Sequence, residues 1–152
     1  MPDDQAYFQA EKKIEPVNNH PRITTTNNRM PARIRVFVTL FVDGTVENKG
    51  GTHFKRYPAV KKKYLARWRK SENFWLRRTT ILFQLGYKKE TDFDLMCDII
   101  RENLDSKEFF INKAIGWALR QYARTDPKAV KKFVKVTPLH PLSWREAMKH
   151  LE

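Results

Sequence analysis

From Tyr57 to the C-terminus the apolar residues recur at helical spacing, and prolines and capping residues cut that spacing at short intervals. Pro58 suits a first helical turn, where its missing N–H has no partner to lose; Val60, Tyr64 and Trp68 follow on one face. Glu72 to Tyr87 reads as a second helix. Thr91 and Asp94 form a variant capping box ahead of Leu95, Ile99 and Ile100, and Ser106 is placed to cap a helix running to about Arg124. Asp126–Pro127 is an N-cap followed by a first-turn proline, opening a helix through Val134. Ser143 and Glu146 make a capping box for the last helix, and Gly50–Gly51 is expected to end one. Roughly five helices with short connectors imply antiparallel neighbours, hence an all-α superhelix of stacked helical hairpins. Trp75 and Phe110 begin comparable segments 35 residues apart, a spacing that suits a solenoid repeat.

The first third is different. Residues 1–36 hold Asn18–Asn19, the run Thr24 to Asn28 and prolines at 2, 16, 21 and 31, with few periodic apolar residues; an irregular segment is expected. Arg33 to Asp43 is β-branched and apolar, which by propensity alone is a strand. The single cysteine, Cys97, excludes a disulfide framework within the chain and sits in an apolar run as a core residue. No apolar run spans a bilayer and the first ten residues lack a signal pattern, so a cytoplasmic protein is expected.

Thirty Lys and Arg against 17 Asp and Glu give a formal charge of +13, which implies a polyanionic partner. The segment from Lys55 to Arg78 carries ten of those cations and one acid, Glu72. On a wheel of the helix ending near Arg124, Lys113, Trp117, Arg120 and Arg124 fall within an arc of about 60°, opposite Ile111, Ile115, Ala118, Leu119 and Tyr122. Phe109 and Phe110 flank that basic stripe. Phosphates suit the cations, and the aromatics supply a stacking or packing surface; packing of Trp117 on a neighbouring helix is the alternative. In the preceding helix Arg78 lies within the apolar stripe of Phe74, Leu82 and Leu85, so its guanidinium needs a hydrogen-bonded anion, either a protein carboxylate or a phosphate. Arg77 and Gln84 are expected to face solvent.

His20, His53, His140 and His150 show no ligand spacing with one another or with Cys97, and no metal is expected. Nor is there a phosphate-cradling glycine loop or a nucleophile elbow, and no cofactor is expected.

Three stretches, Asn73 to Leu85, Glu108 to Arg120 and Pro141 to His150, resemble the DNA alkylation-repair family, over about Val42 to the C-terminus. The resemblance implies HEAT-like helical repeats, with residues 37–152 as a partial domain of that kind, and a glycosylase that removes alkylated bases from duplex DNA. The family's site has an aspartate, an arginine and two tryptophans on a concave face. They match Asp43, Arg78 and Trp117; the second tryptophan falls at Thr39. By the same resemblance, Arg33 to Asp43 is helical in origin, and the lesion stays stacked while its backbone is gripped. Lys113, Arg120, Arg124, Phe109, Phe110 and Arg77 are then the expected DNA contacts, in a monomer without metal. A catalytically impaired DNA-binding remnant and a protein-binding helical scaffold remain the alternatives.

Overall fold

Helices begin where a side chain or a proline deals with the first-turn N–H groups, which have no intrahelical acceptors. The computed structural model describes residues 49–151, in which there are seven α-helices, one short 3-10 turn and no strand. They are α1 (Lys49–Arg56), α2 (Pro58–Trp68), α3 (Phe74–Leu82), the 3-10 turn Lys88–Glu90, α4 (Phe93–Arg101), α5 (Phe109–Ala123), α6 (Pro127–Val136) and α7 (Pro141–Met148). The irregular segment expected over 1–36, the strand or helix expected at Arg33 to Asp43, and Asp43 itself lie outside the described residues.

Asp126 caps α6 as expected, its carboxylate accepting from Ala129 N at 3.0 Å ahead of Pro127. Pro58 likewise opens α2. Elsewhere the boundaries move. Asn73 caps α3 by accepting from Trp75 N at 3.0 Å, and this helix stops at Leu82 rather than Tyr87. Asp92, not Thr91, caps α4, accepting from Leu95 N at 3.0 Å. Ser106 precedes α5 without capping it; its hydroxyl accepts from Glu108 N at 3.3 Å in the approach. Gly50–Gly51 lies in the first turn of α1 and ends no helix. In the last helix His140 is the cap, its Nδ1 accepting from Leu142 N at 3.2 Å. The expected box of Ser143 and Glu146 does not form because both side chains are taken by α5.

That capture fixes how α5 and α7 lie. The Ser143 hydroxyl, buried, donates to Asn112 O at 2.7 Å, and Arg120 pairs with Glu146 at 2.7 Å. Residue numbers rise together along both helices, so they run parallel. Between these two ties stands Gly116, where an added Cβ would come within 2.5 Å of Glu146 Cβ and 2.9 Å of Ser143 O. Only glycine permits so close an approach.

α3 runs parallel to α5 on its other flank. Their N-terminal ends meet around a cleft lined by Ser71, Glu72, Arg77, Ser106, Lys107 and Glu108. Their C-terminal ends meet around a second cleft that includes Gln84, Leu85, Gln121 and Tyr122. Thus α3, α5 and α7 form one layer of parallel neighbours. The helices between them, α4 and α6, form the other. There Phe93 of α4 stacks on Tyr122 at 4.5 Å and meets Phe133 of α6 edge-on at 6.1 Å. The core lies between the layers, with Leu82, Ile99, Ile100, Ile111, Ile115, Leu119 and Val130 fully buried. This is the expected all-α arrangement of stacked hairpins.

Candidate nucleic-acid interface

Three neighbours cover α5. The core side carries Ile111, Ile115, Ala118 and Leu119, all buried as the sequence implies. α7 covers Asn112 and Gly116, and α3 covers Ala114, so these too are buried, while Phe110, packed on Trp75, is half-buried. What remains open is a strip of about 80° on a wheel of 100° per residue, holding Phe109, Arg120, Lys113, Arg124 and Trp117. Lys113 and Arg124 are exposed, Phe109 is 50% exposed, and Arg120 and Trp117 are half-buried. Trp117 is therefore not freely displayed: it packs on the rim of the core and offers part of its indole to the strip.

Arg120 is engaged. Its Nη1 donates to Glu146, and both side chains are about a quarter exposed. Arg77, expected to face solvent, instead turns back on its own helix start, where its Nη1 donates to Ser71 O at 2.6 Å and Glu72 O at 3.1 Å. Gln84, also expected in solvent, is 3% exposed. Its amide grips the Asp92 backbone on both sides, donating to the carbonyl at 3.1 Å and accepting from the N–H at 2.7 Å. Fixing the turn before α4 compensates the amide for its lost water.

Arg78 is 4% exposed on α3, alongside Leu82 at 1%. The sequence reading of a guanidinium within an apolar stripe holds in this respect. Its position relative to α5 follows from register. Trp75 packs on Phe110 with ring centroids 5.2 Å apart, so on parallel helices Arg78, three residues on, comes level with Lys113, and Leu82 with Trp117. The two members of the expected site among the described residues therefore sit on adjacent parallel helices, about one helical turn apart in register.

The sequence reading missed part of this surface. Phe74, Trp75, Phe110 and Phe109 form a continuous row of rings, with successive centroids 4.6, 5.2 and 5.3 Å apart, crossing from α3 to α5. Lys113 caps the row, its Nζ 5.7 Å from the centre of the Phe109 ring. The signal was present: Trp75 and Phe110 are the pair spaced by 35 residues. Among the described residues no cluster of His, Cys, Asp or Glu has the makings of a metal site. No helix among them is long and apolar enough to cross a membrane.

A layered stack of helical hairpins, with cations and aromatics at the open strip of its parallel layer, defines an all-α helical-repeat protein. The chain belongs to the DNA alkylation repair enzyme family, whose model matches residues 36–151. A solved structure described as a predicted DNA alkylation repair enzyme from Enterococcus faecalis is 38% identical, with a TM-score of 0.63, over 68% of this chain and 49% of that one. The present chain thus spans about half the length of that relative. Comparison with curated proteins gives no match.

Proposed function

We propose that this chain binds duplex DNA along the open strip of α5 and acts in hydrolysing the N-glycosidic bond of cationic alkylated purines. The observation that carries this reading is the register of α3 and α5, which brings Arg78 and Trp117 onto neighbouring parallel helices beside Lys113. A purine methylated on a ring nitrogen is cationic and a good leaving group. Its departure builds positive charge on the deoxyribose, and a nearby carboxylate stabilises that charge and orients water. Asp43 is the carboxylate in this scheme. Arg78 holds that carboxylate or a phosphate through its fork of N–H groups. Trp117 packs against the backbone at the lesion, with its ring face toward the cation. Lys113 and Arg124 supply phosphate contacts, and Phe109 and Phe110 an apolar surface beside them.

Asp43→Asn tests the scheme. Release of methylated base from alkylated duplex should fall to background, while affinity for the same duplex stays within about twofold, since a neutral isostere removes no phosphate contact. Unchanged release removes Asp43 from the chemistry. A second reading, a DNA-binding protein without base release, is favoured by Thr39, which stands where the family resemblance calls for a tryptophan. Wild-type protein that binds alkylated duplex and releases nothing supports that reading instead.

A further inference from the structure

The face of α6 that looks away from the stack is a second cationic surface, separate from the strip on α5. Lys128, Lys131, Lys132 and Lys135 fall within an arc of about 100° on this ten-residue helix. All four are exposed, and none makes an ion pair among the described residues. The helix has no acid of its own. Val130, Phe133 and Val134 are buried against the rest of the fold, so the lysines point the opposite way, while Val136 at the helix end is 73% exposed. The strip on α5 opens from the other layer, because the side of α5 nearest α4 and α6 is its core side. One straight duplex cannot lie on both faces.

We infer that the α6 lysine face holds a second segment of duplex DNA by its phosphates, so that one protein molecule bridges two segments. This inference rests on the DNA-binding reading of the α5 strip. Two features of the face select its partner. An interfacial membrane helix needs several bulky apolar residues to insert beside its cations, and α6 offers only Val136 there, its Val130, Phe133 and Val134 being in the core. A protein partner would draw on aromatic or arginine anchors, and this face has neither. Four mobile point charges one turn apart instead suit a sequence-independent phosphate chain, which lysine meets without fixed geometry.

The test uses the full chain with two undamaged 30-base-pair duplexes, one labelled with a fluorescence donor and one with an acceptor. Wild-type protein should bring the labels together. The variant K128Q/K131Q/K132Q/K135Q should still bind a single duplex and release methylated base, but lose the energy transfer. Capture of the second duplex by wild-type protein should weaken with salt on a log–log slope of about 3.6, roughly 0.9 for each of four phosphate contacts, while the variant's affinity for a single duplex keeps the wild-type slope. Circular dichroism melting of the variant, with substitutions only at exposed positions, checks that the fold is retained. Wild-type protein that saturates with one duplex and shows no transfer overturns the inference and leaves the α5 reading intact. So does transfer that persists in the variant, or a face that binds vesicles containing phosphatidylserine and no second duplex. Wild-type protein that binds no duplex at all removes both.

Discussion

A guanidinium with 4% of its surface exposed, as at Arg78, has given up most of its water, and its fork geometry is worth most in such a place. Arg78→Lys keeps the charge and loses the fork. Base release should drop about 10- to 100-fold, the equivalent of one charge-assisted hydrogen bond, with little change in melting temperature; rates near wild type would reduce Arg78 to a source of charge. Cys97 is the opposite case, a residue whose burial keeps it out of chemistry. It is 4% exposed in α4, and burial pushes its thiol up to about 11. Thiolate is the reactive form. Iodoacetamide should therefore leave Cys97 unmodified in folded protein at pH 8 and label it promptly in denaturant. The folded-state value lies above the ordinary one, so the stability tied to the neutral thiol is complete below about pH 8.5 and is lost as pH rises toward 11. Tyr87, pushed up to about 12 by burial, adds to the same alkaline loss.

The helix α5 shows what a single sequence makes legible and what it hides. Its core side is written in the spacing of Ile111, Ile115, Ala118 and Leu119, and the burial of Arg78 follows from the same periodicity one repeat earlier. Asp126–Pro127 is legible because both residues act on their own first turn. Ser143 and Glu146 are not, because a capping box is a local preference and α5 offers stronger partners, a buried carbonyl at Asn112 and the guanidinium of Arg120. Gln84 misleads for the same reason: its wheel position is polar, yet the partner that draws it inward is the Asp92 backbone, eight residues away. Gly116 looks like an ordinary helix weakness in sequence, and its reason lies across the α5–α7 contact. Gly116→Ala gains helix propensity, about 1 kcal/mol, and introduces a methyl that backbone and Glu146 must retreat from. The second effect should win, for a net loss of about 1–2 kcal/mol in urea denaturation, because the 2.9 Å contact is with backbone rather than with a movable side-chain end. A variant as stable as wild type would mean that α7 can shift at no cost.

Across the whole molecule the charges are sorted by layer more than by sequence. The acids among the described residues are largely spent inside the protein: Glu146 on Arg120, Glu102 on Arg69, Asp98 on Arg101 and Asp126 on a helix start. Lys113 and Arg124 on one side, and the four lysines of α6 on the other, make no such pair among the described residues. The net charge of +13 thus includes six cations on two surfaces that no ion pair cancels among the described residues. A protein that neutralises six or more phosphates should lose about a thousandfold or more in affinity for undamaged duplex between 50 and 200 mM salt. Lys113→Gln should lower the slope for one bound duplex by about one, and K128Q/K131Q/K132Q/K135Q should leave that slope unchanged, since each binding event counts only the phosphates it neutralises. The combined variant should therefore show the slope of Lys113→Gln alone, because the surfaces are on opposite layers and share no duplex. A slope for one duplex that falls by about 3.6 in the α6 variant, roughly 0.9 per lost contact, would mean that a single DNA path wraps both faces, which would require the helical stack to bend the duplex around its edge. Affinity that is flat in salt would leave this charge without a nucleic-acid role, and with it the reason for placing Trp117 and Arg78 against a sugar-phosphate chain.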